Sequence, residues 1–216
     1  ADWNIELTMS PGVNPLSSDF EGTTPTIGWT PLNTGRWAVN ANGSGNAYSI
    51  TATGYAVQSG GRPGEYALRG DSAADRYNLT LKAKLGDDVT ISPNANAVVL
   101  FDYQDANNYY FLQLDNSAAN VRLYKVKGGS ATILADSNGN DWLSDNAFHN
   151  IAIERDGRNG SITIHFDNMT MIRASDSEFR GGLFGIGSMN GKVSFDDVRL
   201  VNLGNRTDDF GQTTLN

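Results

Sequence analysis

The side chains best equipped for chemistry are Arg69, Tyr103, Tyr109, Gln113, Arg122 and Tyr124. They combine phenol rings with an amide and two guanidinium groups. An aromatic ring packs on the C–H face of a sugar while neighbouring amide and hydroxyl groups take its hydroxyls. Arginine grips a carboxylate through two parallel hydrogen bonds, so acidic as well as neutral polysaccharides are within the chemistry of this set. The same types suit β-elimination. There a base removes the proton α to a uronate carboxylate while Arg or Gln neutralises that carboxylate, and Tyr103 or Tyr109 would be the base. Trp142, in the loop from Asn138 to Asn146, is a second stacking platform. His165 alternates off the apolar face of Ile162, Ile164 and Phe166 and joins the candidate binding residues, whereas His149 reads as a strand-start residue. The competing structural interpretation is ordinary cross-strand aromatic pairing on a solvent-facing strand. There is no cysteine, no Gly-x-Ser-x-Gly and no metal-binding histidine spacing, which removes thiol, serine-hydrolase and zinc-type chemistry.

The element that must position these residues is the stretch from Phe101 to Asp115. Apolar and aromatic residues run to Gln104, a polar Asp105-Ala106-Asn107 tip follows, and alternation resumes at Asn108, the pattern of a β-hairpin. On the second strand Tyr110, Leu112 and Leu114 share one face, and Tyr109, Phe111, Gln113 and Asp115 the other. Further strands are expected at Gly35 to Val39, Ala47 to Val57, Gly64 to Arg69, Tyr77 to Leu85, Val89 to Ile91, Ala97 to Tyr103 and Val121 to Val126. The series continues at Ala131 to Ala135, His149 to Arg155, Ser161 to Phe166, Met169 to Arg173, Gly182 to Ser188 and Lys192 to Val201. Asp156 to Gly160 and Asp167-Asn168 are read as hairpin turns, where Asn and Gly supply positive φ. Helical spacing is nowhere sustained, and short strands at this interval predict an all-β, two-sheet antiparallel sandwich. Trp29 and Trp37 are expected to fill its core.

Residues 1–17, with Pro11, Gly12 and Pro15, are read as an extended lead-in, residues 18–202 as one domain and residues 203–216 as a tail. The tail sequence Asp208-Asp209-Phe210-Gly211 echoes Ser18-Asp19-Phe20-Glu21-Gly22, as if a second module were about to begin. Net charge is −8, with a sequence pI of about 4.6. That balance argues against a nucleic-acid partner and against an anionic membrane surface. No apolar run has the length to span a bilayer, and the chain opens at Ala1 rather than methionine, as in a mature secreted form or a trimmed chain. Secretion and a monomeric state are the expectations.

Taken in order, Asp19-Phe20-Glu21, Trp29, Trp37-Ala38-Val39, Tyr103 to Tyr110, Leu123-Tyr124-Lys125 and Phe195-Asp196-Asp197-Val198-Arg199-Leu200 resemble the concanavalin A-like (laminin-G-like) jelly rolls attached to bacterial polysaccharide-degrading enzymes. The resemblance runs from Ser18 to Val201 and speaks for fold more than activity, because this fold carries lectins, binding modules, glycanases and lyases. It implies a structural Ca2+ held by Asp19, Glu21, the Gly22 carbonyl and Asp196 or Asp197, tying the chain ends together with hard oxygen ligands. Where many relatives have arginine this chain has Asp102, Phe111 or Gln113, and the Glu-x-Asp-x-x-Glu strand signature of similar glucanases is missing, which disfavours glycoside hydrolysis. Three functions follow for comparison: a carbohydrate-binding module of a secreted polysaccharide-degrading system, a polysaccharide lyase acting through Tyr103 or Tyr109, and a structural or adhesive spacer.

Overall fold

The computed structural model describes residues 15–43, 45–86, 95–115, 120–137 and 145–203. In chain order its strands are β1 (Leu16–Ser18), β2 (Trp29–Pro31), β3 (Trp37–Ala41), β4 (Asn46–Ile50) and β5 (Glu65–Ala73). They continue as β6 (Arg76–Leu85), β7 (Asn96–Asp105), β8 (Asn108–Asp115), β9 (Asn120–Lys127) and β10 (Ser130–Asp136). The last five are β11 (His149–Asp156), β12 (Ser161–Phe166), β13 (Met169–Ser175), β14 (Gly182–Ser188) and β15 (Val193–Asn202). An eight-stranded sheet runs β13-β12-β11-β6-β15-β4-β3, with β1 also pairing β15. A seven-stranded sheet runs β10-β9-β8-β7-β14-β5-β2 and packs against it. Every pairing is antiparallel, so the concanavalin A-like sandwich implied by the sequence is the architecture observed.

Alternation builds the core. On β6, Tyr77, Leu79, Leu81, Ala83 and Leu85 point inward and are buried, while Asn78, Thr80, Lys82 and Lys84 point out. Inward residues meet across strands, as Leu79 does Ile153 and Leu200, and the facing sheet contributes Val99, Phe101, Tyr110, Leu112 and Phe184. Each fully buried aliphatic or aromatic side chain stabilises by roughly 1.5–3 kcal/mol, against ~0–1 for a surface ion pair, so this layer rather than the charged surface holds the fold. Trp29 and Trp37 lie in it as expected, their indole N–H groups donating to Ser18 Oγ at 3.1 Å and Glu65 Oε1 at 3.0 Å. The fully buried Glu65 carboxylate also takes Asn33 N at 3.2 Å and Arg36 Nη1 at 3.1 Å, so its charge is compensated.

β7 and β8 are buried on both faces. A second cluster of Tyr66, Val98, Leu100, Tyr109, Phe111 and Val126 forms on the outer side of the seven-stranded sheet. The unbroken apolar run Val98 to Phe101 is the sequence counterpart of that double burial. Leu68, Tyr103, Tyr124, Ala131 and Met189 pack against that cluster. Sequence pattern reads a strand from Ala47 to Val57. The ladder stops at Ile50. From there the chain leaves the sheet, Tyr55 drops its ring into the core with its hydroxyl donating to Gly191 O at 2.5 Å, and a loop bridged at Gln58 and Arg62 crosses the outer face. Ala131 N to Gly60 O at 2.8 Å and Arg62 Nη1 to Ala106 O at 2.7 Å tie that loop down. Other edges also shift. Pairing begins at Leu16, ahead of Ser18. The strand expected at Val89 to Ile91, Trp142 and the Asp208 to Gly211 echo lie outside the described residues.

Candidate functional site

The outer face of the seven-stranded sheet gathers most of the residues singled out by type. Register places Tyr109 opposite Val126, Phe111 opposite Tyr124, and Gln113 opposite Arg122. β7 adds Tyr103, whose ring centroid is 5.2 Å from that of Tyr109. Phe111 and Tyr124 stack at 4.5 Å and 5°. Farther along, Gln113 Nε2 donates to Asp115 Oδ2 at 3.0 Å and Arg122 Nε to Asp136 Oδ2 at 2.7 Å, so the strip grades from aromatic to charged. Tyr103, Tyr124 and Arg122 are half-exposed, whereas Tyr109 and Phe111 are fully buried beneath them and the crossing loop.

Two members of this face escape sequence reasoning. Tyr66 on β5 places its hydroxyl 3.4 Å from that of Tyr103, and Arg62 lies near the Tyr66 and Tyr109 hydroxyls. Tyr66 was legible as an outward position two residues before Leu68, but nothing local marks a strand as neighbouring β7 through β14. Burial pushes the phenols of Tyr66 and Tyr109 up, and for Tyr66 the hydrogen bond to Tyr103 adds to the rise. A buried phenol that resists ionisation is a poor base at neutral pH, which works against proton abstraction by Tyr109.

The remaining candidates lie elsewhere. Arg69 donates through Nη1 to Ser18 Oγ at 3.0 Å and Ile27 O at 2.6 Å, with its guanidinium 5.8 Å from the centre of the Trp29 ring. It fastens β1 and the approach to β2 rather than joining the tyrosines. His165 is on the opposite sheet, in a depression of about 320 Å³ with Thr80, Lys82, Asn150 and Asn168. Its Nδ1 is 3.2 Å from Thr170 Oγ1 and its Nε2 3.4 Å from Glu154 Oε1.

The acidic residues implied as calcium ligands surround the β3–β4 turn. The Glu21 carboxylate accepts from the Asn46 backbone N–H and from Asn46 Nδ2, the latter at 2.7 Å. Asp196 Oδ2 accepts from Asn42 Nδ2 at 3.0 Å. Asp19 Oδ1 takes the Glu21 N–H at 3.1 Å, and Gly22 follows with φ of 80°. Asp197 is different, because its carboxylate pairs with Lys82 Nζ at 2.6 Å. Burial first, and the Asp197 charge as well, hold the Asp196 carboxyl above its ordinary range. A cation would relieve that pressure. Among the described residues no three acidic or histidine side chains converge on one metal position.

No family model matches the chain. It is 26% identical over 192 residues to a levanase of Bacillus subtilis (strain 168), covering 86% of this chain and 25% of the levanase. The chain therefore spans about a quarter of that relative. Among solved structures, the carbohydrate-binding module CBM66 from Bacillus subtilis superposes with a TM-score of 0.63 at 19% identity, over 81% of this chain and 96% of that one. The exoplasmic/lumenal domain of VIP36, solved in a Ca2+/Man3GlcNAc-bound form, superposes with a TM-score of 0.61 at 12% identity, over 88% and 89% of the two chains. At these identities the structural likeness is one of fold.

Proposed function

We propose that this chain is a non-catalytic carbohydrate-binding module that engages a polysaccharide on the tyrosine face of the seven-stranded sheet. The observation that carries this reading is the half-exposed pair Tyr103 and Tyr124, seated on the buried Tyr109 and Phe111 and flanked by Gln113 and Arg122. Rings held from below lose little freedom on binding, and the adjoining amide and guanidinium supply directional hydrogen bonds. Alignment to a quarter of a levanase supports a role as one module of a larger secreted, polysaccharide-degrading protein, and makes a fructan the first ligand to try. The module would act as a monomer. Calcium at Glu21 and Asp196, with the Asn42 to Asn46 turn between them, would serve the scaffold and supply charge neutralisation, not chemistry.

Affinity gels containing levan, neutral glucans or uronic-acid polymers test the reading. The same mixtures are followed for the ultraviolet absorbance of an unsaturated uronate. Retention without product supports a module. Rising absorbance would establish a lyase instead, and no retention by any polymer would leave the spacer.

A further inference from the structure

The loop that crosses the outer face of the seven-stranded sheet runs against the β7–β8 and β9–β10 turns. Gly60, at a φ of 77°, lets it pass so close that a Cβ there would strike the Gly129 carbonyl. The half-buried Arg62 side chain is spread across that junction. Its Nε donates to Ser59 O at 2.9 Å, and its Nη1 donates to Ala106 O at 2.7 Å and Asn107 Oδ1 at 3.2 Å. All three acceptors are neutral. Arg36, Arg122, Arg155 and Arg158 each pair with a carboxylate, whereas Arg62 has no acidic partner among the described residues. Asp105, beside the same hairpin tip, turns its oxygens into its own turn, accepting from Asn107 N at 2.7 Å and from Asn108 Nδ2 at 3.0 Å.

Arg62 Nη2 keeps two hydrogens with no acceptor among the described residues. Its charge acts on the Tyr66 and Tyr109 phenols, at the end of the strip where the Tyr66 and Tyr103 hydroxyls lie 3.4 Å apart. Two phenols in mutual contact use one proton between them, so the other is free to donate. A fixed cation without counter-charge beside a free O–H selects an anion: one carboxylate oxygen takes an Nη2 hydrogen and the other takes the phenol proton. We propose that Arg62 sets the ligand class of the tyrosine face by taking the carboxylate of a uronic acid residue in the bound saccharide. The inference rests on the reading of that face as the saccharide site. A neutral chain is held by the rings and neighbouring amide alone, and an acidic one gains Arg62 in addition. The bonds from Nε and Nη1 already fix the guanidinium, so little side-chain freedom is lost on binding. The net charge of −8 opposes a polyanion, but salt screens exposed charges beyond about 10 Å, whereas Nη2 acts in contact.

Calorimetric titration with trigalacturonate and with its fully methyl-esterified form, which keeps the rings and hydroxyls but not the charge, tests it. The proteins are the wild type, Arg62→Gln, Arg62→Lys and Tyr103→Ala/Tyr124→Ala, each checked for folding by far-ultraviolet circular dichroism. The wild type should bind the acid roughly tenfold more tightly than the ester, the scale of a hydrogen bond to a charged group. Arg62→Gln should bring the two affinities together by weakening only the acid, and Arg62→Lys, which keeps the charge, should keep most of the preference. The tyrosine variant should weaken both forms. The inference falls if the wild type binds neither form at millimolar concentration or binds them alike, or if the preference survives Arg62→Gln. It also falls if Arg62→Lys loses the preference as fully as Arg62→Gln, because loop position rather than charge would then decide. An Arg62-dependent preference at full affinity in the tyrosine variant would uphold Arg62 as the carboxylate contact and overturn the tyrosine face. Tyrosine-dependent binding of acid and ester alike would do the reverse.

Discussion

Asp102 of the seven-stranded sheet and Arg155 of the eight-stranded sheet form a fully buried ion pair between the layers, with Arg155 Nε 2.7 Å from Asp102 Oδ2. Tyr77 donates its hydroxyl to Asp102 Oδ1 at 2.7 Å, and Arg155 Nη2 donates to Phe179 O at 2.6 Å, so both charges have further partners. Asp102 reaches inward because it interrupts the β7–β8 register at a left-handed φ of 48°, a conformation Asp tolerates. Burying two charges is costly, and the pair stands only because each is completed. Asp102→Asn keeps the backbone preference but leaves Arg155 uncompensated. It should cost about 3–5 kcal/mol in denaturant unfolding, as should Arg155→Met. Asp102→Asn combined with Arg155→Met should recover much of that loss. Strict additivity of the two single effects would refute the coupling.

On the tyrosine face, stability and binding should separate by layer. Tyr109→Ala and Phe111→Ala empty fully buried sites and should destabilise by about 3–5 kcal/mol. Tyr103→Ala and Tyr124→Ala remove half-exposed rings. They should leave the unfolding midpoint within ~1 kcal/mol while weakening polysaccharide retention about tenfold. Retention unchanged in both would remove the tyrosine face from the function.

That layering also shows how far sequence carries. The Phe101 to Asp115 hairpin and its two faces are legible because period-two alternation is local, and β6 is legible for the same reason. Tyr66 joins Tyr103 only through β14, whose partners are distant in sequence, so no local pattern announces that contact. Arg69 illustrates the converse. Its residue type suggests a ligand-facing guanidinium, but the Gly28 turn presents the Ile27 carbonyl to it, and tertiary context makes it a clamp. Tyr55 shows why the strand from Ala47 runs short: an aromatic residue inside an alternating segment can satisfy the core from a loop as well as from a ladder.

His149 should make stability pH-dependent near neutrality. Its Nδ1 lies 2.6 Å from Asp167 Oδ2 and its Nε2 2.9 Å from Asp145 Oδ1, so both ring nitrogens face carboxylates. Partial burial opposes the charged imidazolium, but the two carboxylates outweigh it and raise the pKa above 6.5. A raised folded-state pKa means the contribution is complete below the unfolded value, about 6.5, and is lost as pH rises through the folded value. Thermal melts between about pH 5 and 9 should therefore decline on the alkaline side of 6.5 in the wild type, and His149→Gln should flatten that part of the profile. Parallel profiles for the two proteins would exclude His149 as the source.

The calcium proposed at Glu21 and Asp196 should appear as stability, because an ion bound only by the folded chain stabilises by mass action. At a free concentration of about 100 times Kd the gain is about 2.7 kcal/mol, and for a domain of this size each kcal/mol moves Tm by roughly 2–4 °C. Adding a chelator should thus lower Tm by about 5–10 °C, and excess Ca2+ should restore it. Asp196→Asn removes the carboxylate whose pKa is raised by burial and by its acidic neighbour, so it should abolish the calcium response. The substitution also relieves that crowding, so the metal-free variant should melt no lower than the metal-free wild type. Asp197→Asn should retain the response, since that carboxylate is already neutralised by Lys82. A melt unmoved by chelator and calcium would place the scaffold's stability in the sandwich core alone.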